Sequence, residues 1–417
     1  MSGLSKKLNL LDGVALGIGS IMGSGALFLP SYSYAIGGDG AILAWMLTTL
    51  LCLPLIIVFK AMVNKVPNES GLHGWVSLGL GEKVGAAVPF ILLGTVSLGM
   101  PSAAIIAGKY VSNTFLLDQT VTLFVAISIV VLASGTNLLG IELSSRNQRL
   151  VSLALFLLAG SLAAMSAPMA FERLPTKTFK FGWNDTVLAA VICFWAFAGF
   201  ENMSFMAGEF KNPKRDLPLA IAYSLIICSL IYISLTFNYL LIGETGDESS
   251  LDGLRVLGEA LPSPYFAKQI IWVFAVTAVL MNFISWVWGI SRLIFSTANQ
   301  GLLPATLGKI DEQNGIPRNA ILLLSAGFII NIFIFSHWPD VMDLCLKLVS
   351  TNFLFLYLLA ITSYLRLNTS HGERALGVIL TIICSYGLFT TGYLVLYPIS
   401  ILILSVLFLH MRTRINK

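Results

Sequence analysis

The sequence predicts an all-α membrane protein with about twelve transmembrane helices. The chain has 417 residues, of which 56% are hydrophobic and only 11% charged, and its mean hydropathy is +0.84. A soluble domain carries about 25% charged residues. Many apolar runs reach the roughly 20 residues that one helix needs to cross a bilayer. They are much longer than the roughly ten alternating residues of a barrel strand, which argues against a β-barrel.

Prolines, glycines, asparagines and charged residues separate the apolar runs and mark the loops. We expect spans near residues 10–36, 40–63, 84–113, 120–138, 149–170, 185–208, 217–242, 267–299, 319–336, 341–365, 374–391 and 393–411. The polar, glycine-rich segment 66–83 is predicted to lie along the inner membrane interface as a short amphipathic element.

The distribution of basic residues predicts the orientation of these spans. Most of the 25 lysines and arginines fall on the side of the N-terminus, and the loop after the seventh span is acidic. Cytoplasmic loops of membrane proteins are enriched in Lys and Arg. We therefore expect a multi-pass plasma-membrane protein with both termini in the cytoplasm.

Composition also argues against several classes of function. The net charge of +4 is small and spread along the chain, so no nucleic-acid partner is expected. The five cysteines stand singly inside apolar runs and the four histidines are scattered, so no metal site or cofactor is predicted. A membrane enzyme would need a nucleophile–base pair or a metal cluster within the spans. A transporter, a channel or a sensor therefore remains.

The first span contains residues that weaken a helix. Gly17, Gly19, Gly23, Gly25 and Pro30 fall within it, and each interior glycine costs about 1 kcal/mol relative to alanine. An unwound turn here would expose backbone groups that are tolerated at membrane depth only beside a cavity or ligand. A half-helix N-terminus would then attract a carboxylate. The alternative is a small-residue face on which another helix packs.

The sixth span carries an acid near its middle, Glu201, after the sequence Phe194-Trp-Ala-Phe-Ala-Gly-Phe. An ionised carboxylate at that depth costs about 2.5–3.5 kcal/mol, and such residues usually have a function. Glu201 could bind a cation, carry a proton or accept hydrogen bonds from an unwound turn. A structural acid inside the helix bundle is the alternative.

The two weakened spans are the first and the sixth. A five-helix unit repeated with inverted topology would place them in equivalent positions, and paired broken helices indicate a central transport site. No repeat is visible residue by residue, and the two spans correspond by position alone. Their pairing predicts alternating access around a site near the membrane midplane.

Three motifs in this order resemble those of the amino acid–polyamine–organocation transporters. Gly19–Pro30 is similar to their first-helix motif. Phe194–Glu201, followed by Gly208–Pro218, resembles their sixth helix and the loop after it, and Arg292–Pro304 resembles the end of their eighth helix. The segment after Gly208 is most similar to the bacterial methionine and branched-chain amino-acid exporters. The arginine/agmatine antiporters are a second similar branch.

The resemblance implies a LeuT-like fold, with a five-plus-five inverted-repeat core and two additional C-terminal helices. The first repeat would cover residues 1–170, the second repeat residues 171–366, and the additional helices residues 367–417.

The resemblance also implies a binding site at the two weakened helices. The substrate carboxylate would meet the unwound turn formed by Ile21, Met22, Gly23, Ser24 and Gly25. The substrate amino group would meet carbonyls around Trp195, Phe197, Ala198 and Gly199. Trp195 would also pack on the substrate, Glu201 would link protonation to transport, and Trp286 would act as a gate. A packing or lipid-facing tryptophan is the alternative for Trp286.

The sequence departs from some relatives in its cation sites. The fifth span has no lysine that could act as a built-in cation. Sodium-coupled relatives carry neighbouring hydroxyls on helix eight, whereas here Ser291 is followed by Arg292. Arg292 is therefore a candidate substitute for a bound cation. An interfacial arginine that extends toward the headgroups is the alternative.

Together these observations predict a transporter that exports or exchanges neutral apolar amino acids such as methionine, leucine, isoleucine or valine. The alternatives are an antiporter of cationic amino acids or amines, and an amino-acid sensor on the same fold. The expected partners are the amino-acid substrate and the lipid bilayer. Protons are a candidate coupling ion, and a second copy of the chain is a candidate partner. The family likeness suggests a bacterial inner membrane.

Overall fold

The structure is a computed structural model that describes residues 8–23, 25–65, 71–204, 206–243, 253–311, 315–338, 340–368 and 370–415. Its helices are α1 (Leu10–Ile21), α2 (Gly25–Gly37), α3 (Ala41–Lys65), α4 (Gly71–Leu80), α5 (Glu82–Gly85), α6 (Val88–Phe115), α7 (Gln119–Leu139), α8 (Ile141–Arg173), α9 (Trp183–Phe197), α10 (Phe200–Ser204), α11 (Pro213–Ile242), α12 (Gly253–Glu259), α13 (Pro264–Asn299), α14 (Arg318–His337), α15 (Asp340–Leu367), α16 (His371–Thr390) and α17 (Leu396–Ile415).

The described chain crosses a membrane twelve times. Eleven of its stretches are long and apolar enough to span, and one of them, Gly25–Lys65, has 41 residues. At 1.5 Å per residue this stretch would measure about 60 Å, twice the roughly 30 Å of the hydrocarbon core. It therefore crosses twice, with α1 and α2 forming the first crossing and α3 the second. The predicted all-α membrane fold is confirmed, and an even number of crossings places the two ends of the described chain on one face, here called the N-terminal face.

The segment between the second and third crossings contains a helix that packs against the rest of the protein. Residues 66–70 lie outside the described chain. The following helix, α4, is embedded in the protein, with Leu72, His73 and Trp75 buried. His73 lies 2.7 Å from the side-chain oxygen of Gln300, and Trp75 packs edge-on against Phe59. The apolar face of α4 thus packs against other helices, and the position of this helix along the membrane interface stays a prediction.

The first crossing is interrupted between α1 and α2. Helix α1 ends at Ile21, Met22 caps it with right-handed helical geometry, and α2 begins at Gly25. Ser24 lies outside the described residues. Gly23 fits only because it has no side chain, since a Cβ there would lie 2.2 Å from Cβ of Asn282.

Side chains from other crossings satisfy the carbonyl groups that the interruption leaves without helical partners. The Tyr232 hydroxyl on α11 donates to the Ile21 carbonyl at 2.7 Å. The Asn282 amide on α13 donates to the Ser20 carbonyl at 2.7 Å. The last carbonyls of a helix have no internal partner, and water is scarce at membrane depth. Neighbouring helices therefore stabilise the interruption.

The sixth crossing is interrupted between α9 and α10. Ala198 is extended, and Gly199 has a φ of +150°, which side-chain-bearing residues rarely adopt. A Cβ on Gly199 would lie 2.8 Å from the Ser20 carbonyl oxygen, so the two interruptions touch each other. They fall in the first crossing of each predicted five-helix repeat. The boundaries of those repeats remain a prediction.

Cysteine labelling can test the orientation inferred from the charges. The five native cysteines are buried, so a membrane-impermeant maleimide should leave the unmodified protein unlabelled. Lys180 and Lys309 are exposed and lie in loops on opposite faces. We expect Lys180→Cys to be labelled in intact cells and Lys309→Cys only after permeabilisation. The reverse pattern would contradict cytoplasmic termini.

A second test concerns the Tyr232 hydrogen bond. Tyr232→Phe should lower stability, because it leaves the buried Ile21 carbonyl without its donor, at a cost of about 1–3 kcal/mol. Tyr223→Phe is the matched control, since Tyr223 lies on the same helix with 49% of its surface exposed. Thermal unfolding of both variants in one detergent would show the difference. Equal melting temperatures would mean that the hydroxyl does not support the interruption.

Candidate functional site

A buried cavity lies where the two interruptions meet α6, α13 and α15. It is lined by Ser20, Ile21, Gly25, Thr95, Val96, Gly99, Met100, Trp195, Ala198, Asn282, Trp286, Val349 and Phe353. Its volume is about 20 Å³, which is room for about one water molecule. All of the lining residues are buried. The site is therefore closed, and side chains must move before an amino acid can enter.

Helix ends place partial charges of both signs on the wall of this cavity. The N-terminus of α2 begins at Gly25, which lines the cavity, and the C-terminus of α9 leads into Ala198, which also lines it. Helix α1 ends at Ile21 on the same cavity. A helix N-terminus carries about half a positive charge and a C-terminus about half a negative charge. The α2 end therefore suits a carboxylate, and the α1 and α9 ends suit an ammonium group.

The rest of the cavity wall is uncharged. Val96, Met100, Val349 and Phe353 supply apolar surface, and among the described lining residues none has an ionisable side chain that is charged at neutral pH. Thr95 also lines the cavity, and its hydroxyl donates to the Ile91 carbonyl at 2.7 Å. This wall suits a neutral side chain.

The structure brings together many of the residues predicted for substrate binding. Ile21, Gly25, Trp195 and Ala198 line the cavity. Others lie in the adjoining turns without lining it, namely Met22, Gly23 and Gly199. The Phe197 ring packs against Trp45 and Tyr232, so only the Phe197 backbone belongs to the interruption. Ser24 lies outside the described residues.

Both predicted aromatic residues are part of the cavity wall. Trp195 packs edge-on against Phe28 at 5.3 Å, and Trp286 packs against Phe353 at 5.7 Å. Trp286 is only 4% exposed. The alternative of a lipid-facing Trp286 is therefore wrong. Its gating role remains a prediction.

Several lining residues were not predicted from the sequence. Asn282 could have been found, because it is a polar residue in the middle of an apolar span. The contributions of α6 and α15, including Gly99 and Val349, carry no comparable sequence signal. A Cβ on Gly99 would lie 3.3 Å from Val349, so these two helices approach closely beside the site.

Glu201 lies behind the interruption and not in the cavity wall. Its side chain is fully buried, and one carboxylate oxygen accepts hydrogen bonds from the Gly199 N–H at 3.0 Å and from the Tyr357 hydroxyl. The other oxygen has no hydrogen-bond partner among the described residues. Glu201 therefore holds the unwound turn, as one of the predicted roles requires. Its position also leaves one oxygen able to take a proton.

Arg292 has an environment that differs from that of an interfacial arginine, which was the alternative from the sequence. It is 2% exposed and pairs with Glu209 at 2.9 Å, so it does not extend to the interface. Seven residues, or about 10 Å along α13, separate it from Ser285. The residues of α13 nearest the α1 carbonyls are instead Asn282 and Ser285. Substitution of Arg292 for a bound cation stays a prediction.

The Arg292–Glu209 pair belongs to a hydrogen-bonded cluster on the N-terminal face. Trp288 donates from its indole N–H to the Glu209 carboxylate at 3.1 Å. The backbone of Leu8 pairs with this segment, donating to the Glu209 carbonyl at 3.0 Å and accepting from the Lys211 N–H at 2.9 Å. The cluster ties the start of the chain to α13 on this face.

Known proteins resemble the chain over nearly its full length. The sequence profile of the amino acid permease family matches residues 8–412. The uncharacterized amino acid permease YecA of Bacillus subtilis is 26% identical, covering 95% of this chain and 93% of YecA. The L-methionine/branched-chain amino acid exporter YjeH of Escherichia coli is 23% identical, covering 96% of each chain.

Two further transporters resemble the chain. The cadaverine/lysine antiporter of Escherichia coli is 27% identical, covering 76% of this chain and 72% of the antiporter. The crystal structure of MhsT in complex with L-phenylalanine matches with a TM-score of 0.67 and 13% identity, covering 94% of this chain and all of MhsT. The fold is thus the LeuT-like fold, and the family is one of transporters and not of enzymes. This chain belongs to the amino acid permease family.

Proposed function

We propose that this protein exports or exchanges neutral apolar amino acids by alternating access. The observation that carries the proposal is the pairing of opposite helix poles around a cavity with uncharged walls. The poles complement the carboxylate and ammonium groups that all amino acids share, and the walls complement an apolar side chain. The similarity to YjeH, a methionine and branched-chain amino acid exporter, supports the same substrate class.

The alternative of a cationic substrate is less compatible with this cavity. An antiporter of cadaverine or lysine must accommodate a second positive charge, and burying an unpaired ammonium is costly. No carboxylate lines the described cavity, and Glu201 is held behind the turn by Gly199 and Tyr357. A sensor would share the binding site, and only measured flux separates it from a transporter.

Exchange between two faces requires that each side of the cavity can open. On the N-terminal face the buried ion pair between Glu209 and Arg292 is formed, and the cavity is closed on that side. On the other face Phe28 packs on Trp195, and the Tyr32 hydroxyl donates to Asp343. The proposal is that these contacts break alternately while the bundle rocks around the interruptions.

Protons fit the coupling step better than sodium does. A sodium ion beside the α1 carbonyls would need oxygen ligands from α13, but Asn282 presents its amide donor to the Ser20 carbonyl there. Glu201 offers a buried carboxylate oxygen without a hydrogen-bond partner among the described residues. We infer that protonation of Glu201 loosens the turn at Gly199.

Ligand screening tests the substrate class directly. Methionine, leucine, isoleucine and valine should raise the melting temperature of the purified protein, because a ligand that binds only the folded state stabilises it. Lysine and cadaverine should have little effect. Flux in proteoliposomes with counter-substrate inside would then separate transport from sensing. Stabilisation by lysine alone would contradict the proposal.

The Gly23 position tests the carboxylate site. Gly23→Leu should abolish this ligand-induced stabilisation, because its side chain would overlap Asn282 and displace the turn. Gly327→Leu is the matched control, since a Cβ at Gly327 has nothing within 4 Å. Wild-type ligand affinity in Gly23→Leu, measured by the same thermal shift, would exclude the turn from the binding site.

The pH dependence of flux tests Glu201. Glu201→Gln keeps the size and the hydrogen-bond acceptor but cannot titrate, so flux should become nearly independent of pH. Glu259→Gln removes an exposed acid on α12 and should retain the wild-type profile. Flux would be followed in proteoliposomes across a range of pH values. A wild-type profile in Glu201→Gln would remove Glu201 from the coupling step.

A further inference from the structure

An apolar groove lies on the outside of the helix bundle between α3, α9, α15 and α16. Its volume is about 550 Å³, far larger than that of the buried cavity. Its walls include Leu47 and Pro54 of α3, Val187 and Val191 of α9, and Leu380 of α16. Val187, Val191 and Phe194 follow helical spacing, so one face of α9 forms the floor.

The polar groups at the groove already have hydrogen-bond partners within the protein. The Thr48 hydroxyl is used, lying 2.8 Å from the Ala44 carbonyl and 2.9 Å from the Ala190 carbonyl. At one end the Trp183 indole N–H donates to the Tyr386 hydroxyl at 3.3 Å. No charged side chain lines the groove among the described residues. Its lining therefore suits a hydrocarbon.

The groove is continuous with the surface that faces the bilayer. Leu50, Ile379 and Ile382 at its rim are 62%, 54% and 63% exposed. Large apolar side chains so exposed on membrane-spanning helices contact lipid. Hydrocarbon can thus enter sideways, without leaving the membrane.

The length of the groove matches one leaflet. Its lining on α16 extends from Leu376 to Gly387. At 1.5 Å per residue this stretch measures about 17 Å, close to half of the roughly 30 Å hydrocarbon core. The Trp183–Tyr386 pair lies at the end remote from the N-terminal face, and such aromatic pairs mark the headgroup level of membranes.

We propose that the groove binds one acyl chain of a phospholipid from the leaflet remote from the N-terminal face. The headgroup lies near Trp183 and Tyr386, and the chain runs inward along α9 and α16. This site rests on the membrane fold alone and does not depend on the transported substrate.

The bound chain also reaches the interior of the protein through Phe194. Phe194 lines the groove and packs edge-on against Tyr357 at 4.9 Å. Tyr357 donates to Glu201, which holds the unwound turn. The acyl chain therefore supports the back of the interruption, and its removal should slow the proton-dependent step. This consequence, unlike the site itself, rests on the proposed function.

Photolabelling tests the site. The full-length protein would be reconstituted in phosphatidylcholine vesicles that contain a trace of phosphatidylcholine with a diazirine midway along one acyl chain. After illumination, labelled peptides would be mapped by mass spectrometry. We expect severalfold more label on the groove faces of α9 and α16 than on the lipid-facing surface of α14. Uniform labelling of all lipid-facing helices would overturn the proposal.

Two matched variants test whether the label in the groove depends on its free volume. Ala190→Phe fills the groove from its α9 wall, whereas Ala326→Phe adds the same bulk to an exposed position of α14. Labelling of the groove should fall severalfold in Ala190→Phe and stay unchanged in Ala326→Phe. If the groove of the wild type is unlabelled and Ala190→Phe halves the oligomeric mass, a second copy occupies it and the lipid proposal is wrong.

Flux measurements distinguish the lipid site itself from its effect on the proton-dependent step. With the acyl chain excluded, Ala190→Phe should transport severalfold more slowly than Ala326→Phe in the same vesicles. A labelled groove with equal flux in both variants would keep the lipid site and overturn its link to Glu201. Absence of any flux in the wild type would contradict the proposed function while leaving the photolabelling result valid.

Discussion

The contact between two interrupted helices at membrane depth determines most of this structure. Gly199 approaches the Ser20 carbonyl so closely that a side chain would not fit. Each interruption removes backbone groups from helical hydrogen bonds where water cannot replace them. The surrounding helices therefore supply donors in fixed places through Tyr232 and Asn282. Glu201, on the second half of the interrupted sixth crossing, supplies an acceptor to the Gly199 N–H.

The same requirement explains why the site is chemically suited to amino acids. Unwinding leaves the positive end of α2 and the negative ends of α1 and α9 on one cavity. This field is built from backbone, so under the proposed function it would bind the groups that all amino acids share. Side chains such as Val96, Met100 and Phe353, which come from other helices, would then distinguish one amino acid from another.

Two buried acids, Glu209 and Glu201, are held by an ion pair or hydrogen bonds, and each ties distant parts of the chain together. Glu209 joins Arg292 and Trp288 of α13 to the loop after α10, while its backbone pairs with Leu8. Glu201 joins the turn at Gly199 to Tyr357 of α15. Breaking either connection would free one helix from another, which is what movement of a bundle requires.

The sequence by itself determined the membrane fold, the number of crossings and the two interrupted helices. These follow from local properties, since long apolar runs, clustered glycines and a single intramembrane acid need no knowledge of neighbours. Only the tertiary structure decided that Glu201 faces Tyr357 and not the cavity, that Arg292 pairs with Glu209, and that Gly99 and Val349 complete the wall. Those facts depend on how helices far apart in the chain rotate and pack, and side-chain partners across such distances leave no local pattern in a single sequence.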